Sequence, residues 1–259
     1  MEASCFGSVS PEIRAIFSDL DSGKQRICTL EKGAWIVHED LKKAVCSCFS
    51  QATCALLSAG TYDKIPLKFA GWTQADFENA GIRVVSGAVV RYGAFLARNV
   101  VLMNCFVNVG AYVDSKTLID SFTLVGACAQ VGKNCHISAH VVLGGVLEPL
   151  NARPVIIEDD CFVGAHCSVV EGVRVRRGAT LAMGTHLGAS TKIIDRQTGQ
   201  VFQGEIPEEA LVVPGVYAEG EPEKGNNARA NVSVQCAIIV RYGKAHQDLS
   251  LNQDLRHKE

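Results

Sequence analysis

Little in this chain of 259 residues favours one sign of charge: 25 Lys and Arg stand against 27 Asp and Glu, a formal −2 at neutral pH. That balance gives no field able to draw nucleic acid or an anionic membrane surface. No apolar run reaches the length needed to cross a bilayer. The opening residues, from Met1 to Ser10, lack both a basic start and an apolar core. A secretory leader is therefore not expected, and the expected compartment is the cytoplasm. The cysteines lack a metal or redox spacing. Cys46-x-Cys48 is the closest pair and reads as structural, so no metal is expected.

What is present is apolar residues, 47% of the chain, ample for a core in one or two domains. From Val89 to Ile193 they recur in steps of six. Val89, Phe95, Val101, Val107, Val113, Ile119, Val125, Val131, Ile137 and Leu143 form a first run. Ile157, Val163, Val169, Val175, Leu181, Leu187 and Ile193 form a second. A helix would repeat at about 3.6 and a flat strand at about 2. Small residues stand four places after most steps: Cys105, Ala111, Thr117, Thr123, Ala129, Cys135, Cys161, Cys167, Ala179, Thr185 and Thr191. A large residue fills an interior and a small one fits beside a corner. This is the hexapeptide pattern of a β-helix solenoid, whose coils stack at strand spacing. The corner cysteines read as small apolar fillers in a reducing compartment.

The pattern divides the chain into three. Residues 1–80 lack the repeat and are expected to form a small helical domain. Ser10-Pro11-Glu12 opens a first helix, ended by Asp21-Ser22-Gly23. Trp35-Ile36-Val37 suggests a short strand, 39–57 a second helix, and 73–79 a third, capped by Thr73 and stopped before Gly81. Such a domain would cover the unpaired strand edges at a solenoid end. Residues 81–195 are the solenoid, with an external loop at 144–156. There the count slips from twelve residues to fourteen, and Pro149 and Pro154 fit poorly in an interior strand. The loop is expected to project from a coil corner toward a neighbouring subunit's cleft. After Ile193 the repeat is expected to stop, and 196–259 to form a C-terminal β segment and tail. Residues 195–201 read as a turn, 214–227 as a polar loop, 232–240 as a strand, and the tail as a possible short helix.

Several segments, in order, resemble one family. They are Tyr62-Asp63-Lys64-Ile65-Pro66-Leu67-Lys68-Phe69, Val107-Asn108-Val109-Gly110-Ala111-Tyr112-Val113-Asp114, Val125-Gly126-Ala127-Cys128-Ala129-Gln130-Val131-Gly132-Lys133-Asn134, Gly144-Gly145-Val146-Leu147-Glu148-Pro149-Leu150 and Ser190-Thr191-Lys192-Ile193. Together they are similar to the tetrahydrodipicolinate N-succinyltransferases of diaminopimelate and lysine biosynthesis. The resemblance implies a mainly β fold, a left-handed parallel β-helix. It implies a homotrimer with active sites between solenoids. It also implies succinyl-CoA as acyl donor and a dicarboxylate amine as acceptor. It casts Asp120, just after an inward step, as the catalytic and substrate-binding carboxylate, and Arg83 as a substrate-binding guanidinium. Asp114, one hexad earlier, has the same setting, and Asp at a corner often bonds turn amides. Gly126, Gly132, Gly144, Gly145 and Gly164, with Ala165, are candidates to let a pantetheine arm lie against backbone. Lys192 and Arg196 are candidates for the CoA phosphates.

One position departs from the family. Where it carries a catalytic Glu, this chain has Ser168. Either Asp120 suffices, or Glu171, His166 or Glu148 substitutes, or activity is altered. Other readings follow from the repeat alone. Hexapeptide acyltransferases acting on sugars use a His base, for which His136, His140, His166 and His186 are available. A zinc-dependent carbonic anhydrase on the same scaffold needs three His across an interface, and no third His stands in register with His136 and His140. A solenoid that has lost activity is the non-enzyme alternative.

Overall fold

The computed structural model describes residues 4–57, 61–219 and 232–243. It contains a parallel β-helix of two-residue strands, with helices confined to the part before Gly81. The strands stack into three sheets that the chain visits in rotation. Sheet I begins Arg83–Val84, Val101–Leu102, Leu118–Ile119, His136–Ile137, Phe162–Val163 and Thr180–Leu181. Sheet II runs Val89–Val90, Phe106–Val107, Leu124–Val125, Val142–Leu143, Ser168–Val169 and His186–Leu187. Sheet III runs Phe95–Leu96, Tyr112–Val113, Gln130–Val131, Ile156–Ile157, Arg174–Val175 and Glu205–Ile206. The chain turns from I to II, II to III and III to I, so the prism has three edges.

The hexad residues from Val107 onward line the interior, with Val107, Val113, Ile119, Val125, Val131 and Ile137 fully buried. Each such side chain removed from water contributes about 1.5–3 kcal/mol. The first three steps are one residue out. Val90, Leu96 and Leu102 belong to the interior core, whereas Val89 and Phe95 are only half-buried and Val101 lies outside that core. Strand pairing gives the reason. Val101–Leu102 is followed by Phe106–Val107, a step of five residues, so the corner at 103–105 is one residue short. Adjacent apolar pairs such as Val89-Val90 hide that slip from a periodicity count.

The first helix spans Pro11–Ser22, its amide at Ile13 bonded to the Ser10 hydroxyl and its end turned by Gly23 at φ 76°. The second spans Glu39–Gln51, shorter than its sequence pattern predicts. Ala52 is extended, the Thr53 amide donates to the Cys5 carbonyl, and Ala55–Leu56 pairs with Tyr62–Asp63. Tertiary pairing thus overrides helix propensity there. The third spans Gln74–Ala80, with Asp76 Oδ2 accepting from both the Thr73 amide and hydroxyl at 2.7 Å. Cys28–Glu31 and Ala34–Val37 form a hairpin.

This N-terminal part lies mostly along the II–III edge. Phe17, Leu20, Ile27, Val45 and Cys48 share a core with Val109 and Cys128 of the solenoid. Arg26 fastens the hairpin to sheet III: its guanidinium carbon is 3.9 Å from the Tyr112 ring centroid and 5.2 Å from that of Trp35. The stretch around Phe69, Trp72 and Phe77 packs on the starting end of the solenoid core.

The loop between Leu143 and Ile156 adds its extra residues at one corner, since the strands on either side keep the II-to-III order. The loop stands outside the solenoid at that corner, with Gly145, Glu148, Pro149 and Asn151 exposed, and its other side is held by its own chain. The fully buried Lys42 ammonium donates to the carbonyls of Pro149 at 3.0 Å and Ala152 at 2.9 Å. Leu147 packs on the N-terminal core, and Arg153 donates to the Gly172 and Gly204 carbonyls. The loop is folded onto its own chain.

The stack also continues past Ile193. Glu205–Ile206 pairs with Arg174–Val175, and Leu211-Val212 pairs with Thr180-Leu181. Ile206 and Val212 are core residues. The hairpin Ile193–Asp195 with Val201–Phe202 interrupts the count and conceals this last coil. Pro214 lies inside the strand Ala210–Glu219, not in a loop. That strand pairs antiparallel with Val232–Tyr242. The expected loop residues 220–227 and the tail helix lie outside the described residues.

Candidate functional site

Asp120 stands where sheet I turns to sheet II. Its Oδ1 accepts from the Ser121 amide at 2.6 Å. Asp114 accepts from Ser115 at 2.7 Å and Asn108 from Val109 at 2.9 Å. The corner bond is therefore generic, as Asx turns are. The edges differ, however: Asn108 is on II–III, Asp114 on III–I and Asp120 on I–II. Arg83 opens sheet I two coils before Leu118–Ile119, on the order of 10 Å along the stack from the Asp120 corner. The two candidate substrate residues therefore lie along one face.

The candidate cofactor residues do not gather. Gly126 and Gly145 meet on the II–III edge, where a Cβ on Gly126 would stand 2.2 Å from the Gly145 nitrogen. Gly145, with Glu148, Arg153, Glu171 and Gly172, borders a cleft of about 650 Å³ at the base of the loop. Gly132 lies on the III–I edge beside Asp159. Gly164 and Ala165 lie on the I–II edge, near Met183. Lys192 sits over the Tyr217 ring at 4.1 Å, and Arg196 Nε donates to the Val240 carbonyl at 3.0 Å. Close backbone approach accounts for Gly126, Gly132 and Gly164 without a ligand.

Ser168 is on sheet II, between Val142 and His186 in register. Of the groups considered in place of a carboxylate there, Glu171 and Glu148 are at the II–III edge, and Glu171 Oε2 accepts from the Ala189 amide at 2.9 Å. His166 is on the I–II edge with Asp120. Its ring lies 4.8 Å from that of His140 at an interplanar angle of 5°, and His140 lies 5.1 Å from Phe122 at 24°. In the sequence these three residues stand far apart. Residues 122 and 140 are one coil apart, and 166 follows after one coil plus the loop's eight extra residues, so hexad arithmetic places all three in one column.

Among the described residues, no three His, Cys, Asp or Glu side chains gather to hold a metal ion. No helix among them is long and apolar enough to cross a membrane.

A β-helix with this edge is the scaffold of the hexapeptide-repeat transferases, and residues 154–189 match the family model for the hexapeptide repeat of succinyl-transferase. Residues 3–50 match the model for the tetrahydrodipicolinate N-succinyltransferase N-terminal region. A 2,3,4,5-tetrahydropyridine-2,6-dicarboxylate N-succinyltransferase of Rhodopseudomonas palustris is 48% identical, over 99% of this chain and 93% of the relative. One from Nitrobacter winogradskyi is 50% identical over 91% and 85%. The chain belongs to the 2,3,4,5-tetrahydropyridine-2,6-dicarboxylate N-succinyltransferase family. In fold it is similar to the crystal structure of a 2,3,4,5-tetrahydropyridine-2-carboxylate N-succinyltransferase from Campylobacter jejuni, with a TM-score of 0.56 at 14% identity. That match covers 88% of this chain and 62% of the other.

Proposed function

We propose that this chain transfers the succinyl group of succinyl-CoA to the amine of ring-opened tetrahydrodipicolinate, in the diaminopimelate branch of lysine biosynthesis. The observation that carries the reading is near-half identity along almost the whole length of chains bearing that activity in their names. In the reaction the amine nitrogen attacks the thioester carbonyl, a C–N bond forms, the C–S bond breaks, and CoA leaves as its thiol. Asp120 stabilises the positive charge that develops at the attacking amine, and Arg83 suits an acceptor carboxylate through its planar fork. Gly126, Gly132, Gly145, Gly164, Ala165, Lys192 and Arg196 remain candidate contacts for CoA. Their distribution over three edges fits a cofactor shared between copies better than one arm along a single edge.

We place the enzyme in the cytoplasm as a homotrimer. Closed threefold packing would set one copy's edge against another's face through identical heterologous contacts. The test is CoA release by purified protein with succinyl-CoA and the acceptor, with acetyl-CoA in parallel. Turnover selective for succinyl-CoA supports the reading. Preference for acetyl-CoA, or no release, defeats it. Light scattering that finds a monomer at micromolar concentration defeats the trimer.

A further inference from the structure

The I–II edge carries more proton-transfer chemistry than Asp120. Its successive corners hold residues 85–88, 103–105, 120–123, 138–141, 164–167 and 182–185. Their ionisable side chains are Asp120, His140, His166 and the buried thiols Cys105 and Cys167. Burial pushes both thiols up, Cys105 to about 12, so neither is a base near neutral pH. Phe122, His140 and His166 have φ of 59°, 60° and 59°, so the repeating corner presents all three side chains alike. His140, though exposed, is stacked on Phe122 on one side and on His166 on the other. His166 has a different outlook. The next corner of the column is Gly184, where a Cβ would meet nothing within 4 Å. Beside it Met183 is 68% exposed. One ring face of His166 is thus fixed by a stack and the other looks onto open space.

Acyl transfer to an amine needs a group that removes a proton from nitrogen and delivers one to the departing sulfur. Ser168 has no side chain for this at neutral pH. Glu148 and Glu171 are on another edge, and one oxygen of Asp120 is engaged in its own turn. An imidazole can both take up and give back a proton, which suits such a transfer. Resting on the function proposed above, we propose that His166 is the proton-transfer residue of this edge, and that His140 is a positioning residue that holds its ring by stacking. As the C–N bond forms, an imidazole nitrogen of His166 takes the proton from the amine. As the C–S bond breaks, the imidazolium gives that proton to the CoA sulfur. Imidazole returns to its starting state and no further reactant is needed.

The titratable groups on the corners and strands around His166 are His140 in stacking contact, Asp120 two coils back, His136 on sheet I, His186 on sheet II and Cys167 next in the chain. No Lys or Arg occurs at the corners of this edge among the described residues.

The experiment is steady-state kinetics of the full chain across the neutral range, from about pH 5.5 to about pH 9. His166→Gln should lower kcat about 10²–10⁴-fold with little change in KM, and flatten the acidic limb of the wild-type profile. Added imidazole should restore part of the loss. His166→Phe keeps a ring in the stack and should be as impaired as the Gln variant. His140→Ala should lower kcat, and His140→Phe should recover most of it. Wild-type kcat in His166→Gln overturns the assignment. So does an unchanged acidic limb, or activity in His166→Phe. Absence of CoA release by the wild type overturns the proposed function instead, and this inference with it.

Discussion

Asp114 and Asp120 make the same bond, each to the amide of the following serine, at 2.7 and 2.6 Å, yet they stand on different edges of the prism. Their shared geometry makes each a control for the other. Asparagine keeps the accepting oxygen, so neither Asp→Asn change should disturb its turn. Asp120→Asn should slow turnover by about a hundredfold or more, the usual cost of losing a group that stabilises charge in the transition state. Asp114→Asn should remain close to wild type. Steady-state rates on both variants check this, and equal losses would remove Asp120 from the chemistry.

Lys42 ties the loop after Leu143 to the second helix. Lys42→Met should leave the Pro149 and Ala152 carbonyls without their donor, each unsatisfied group costing about 1–3 kcal/mol. A lower melting temperature and faster amide hydrogen exchange across 144–154 are expected. Unaltered exchange there would show that Leu147 and Arg153 hold the loop unaided.

Alkaline stability should be limited by buried thiols. Burial pushes Cys48, Cys105 and Cys128 up to about 12 in the folded chain. An unfolded thiol ionises near pH 8.5. Above that value the unfolded state gives up protons that the folded state keeps. Stability is therefore complete below about pH 8.5 and falls as the pH climbs toward 12, by up to about 1.4 kcal/mol per pH unit for each such group. Denaturant midpoints in that window should decline with pH, and Cys128→Ala should make the decline shallower. A midpoint that rises with pH contradicts the assignment.

Thiol reagents give a kinetic readout of the same burial. All eleven cysteines are free; Cys54 is exposed and Cys46 half-buried, and the others are buried. With the native protein Cys54 should react first and Cys46 more slowly. The rest should respond only on unfolding, since access and thiolate character both limit the rate. Mass spectrometry of the modified peptides decides it.

Gly126→Ala tests close packing at the base of the loop. The new methyl would lie 2.2 Å from the Gly145 nitrogen and 2.6 Å from the Leu143 oxygen, with only backbone to displace. Overpacking of this kind costs about 1–3 kcal/mol, and a reduced melting temperature is the expected result. Gly199→Ala, with nothing within 4 Å but a φ of 73°, should cost about 1–2 kcal/mol through left-handed strain alone.

The solenoid was legible because its interior is written at one residue per strand, and from Val107 to Leu187 no polar residue breaks the step. Where two apolar neighbours compete, as in Val89-Val90 and Phe95-Leu96, periodicity cannot say which faces inward. Pairing with Phe106-Val107 decides it. The last coil was hidden because the hairpin after Ile193 breaks the count before Ile206 resumes it. Of the candidate site, Asp120 could be placed at a corner from its neighbour Ile119. The His140–His166 stack is legible only after the loop's extra residues are subtracted. The Lys42 contact with the loop leaves no local signal, since its partners are carbonyls more than a hundred residues away.

The antiparallel pairing of 210–219 with 232–242 has a consequence for how copies can join. A parallel sheet ending in an open strand invites another identical stack to continue it end to end, which is how filaments grow. Here the largest sheet finishes with its direction reversed, and a two-stranded hairpin is laid against that reversal. On that face a second solenoid finds no matching template, which disfavours polymerisation along the axis and favours lateral association.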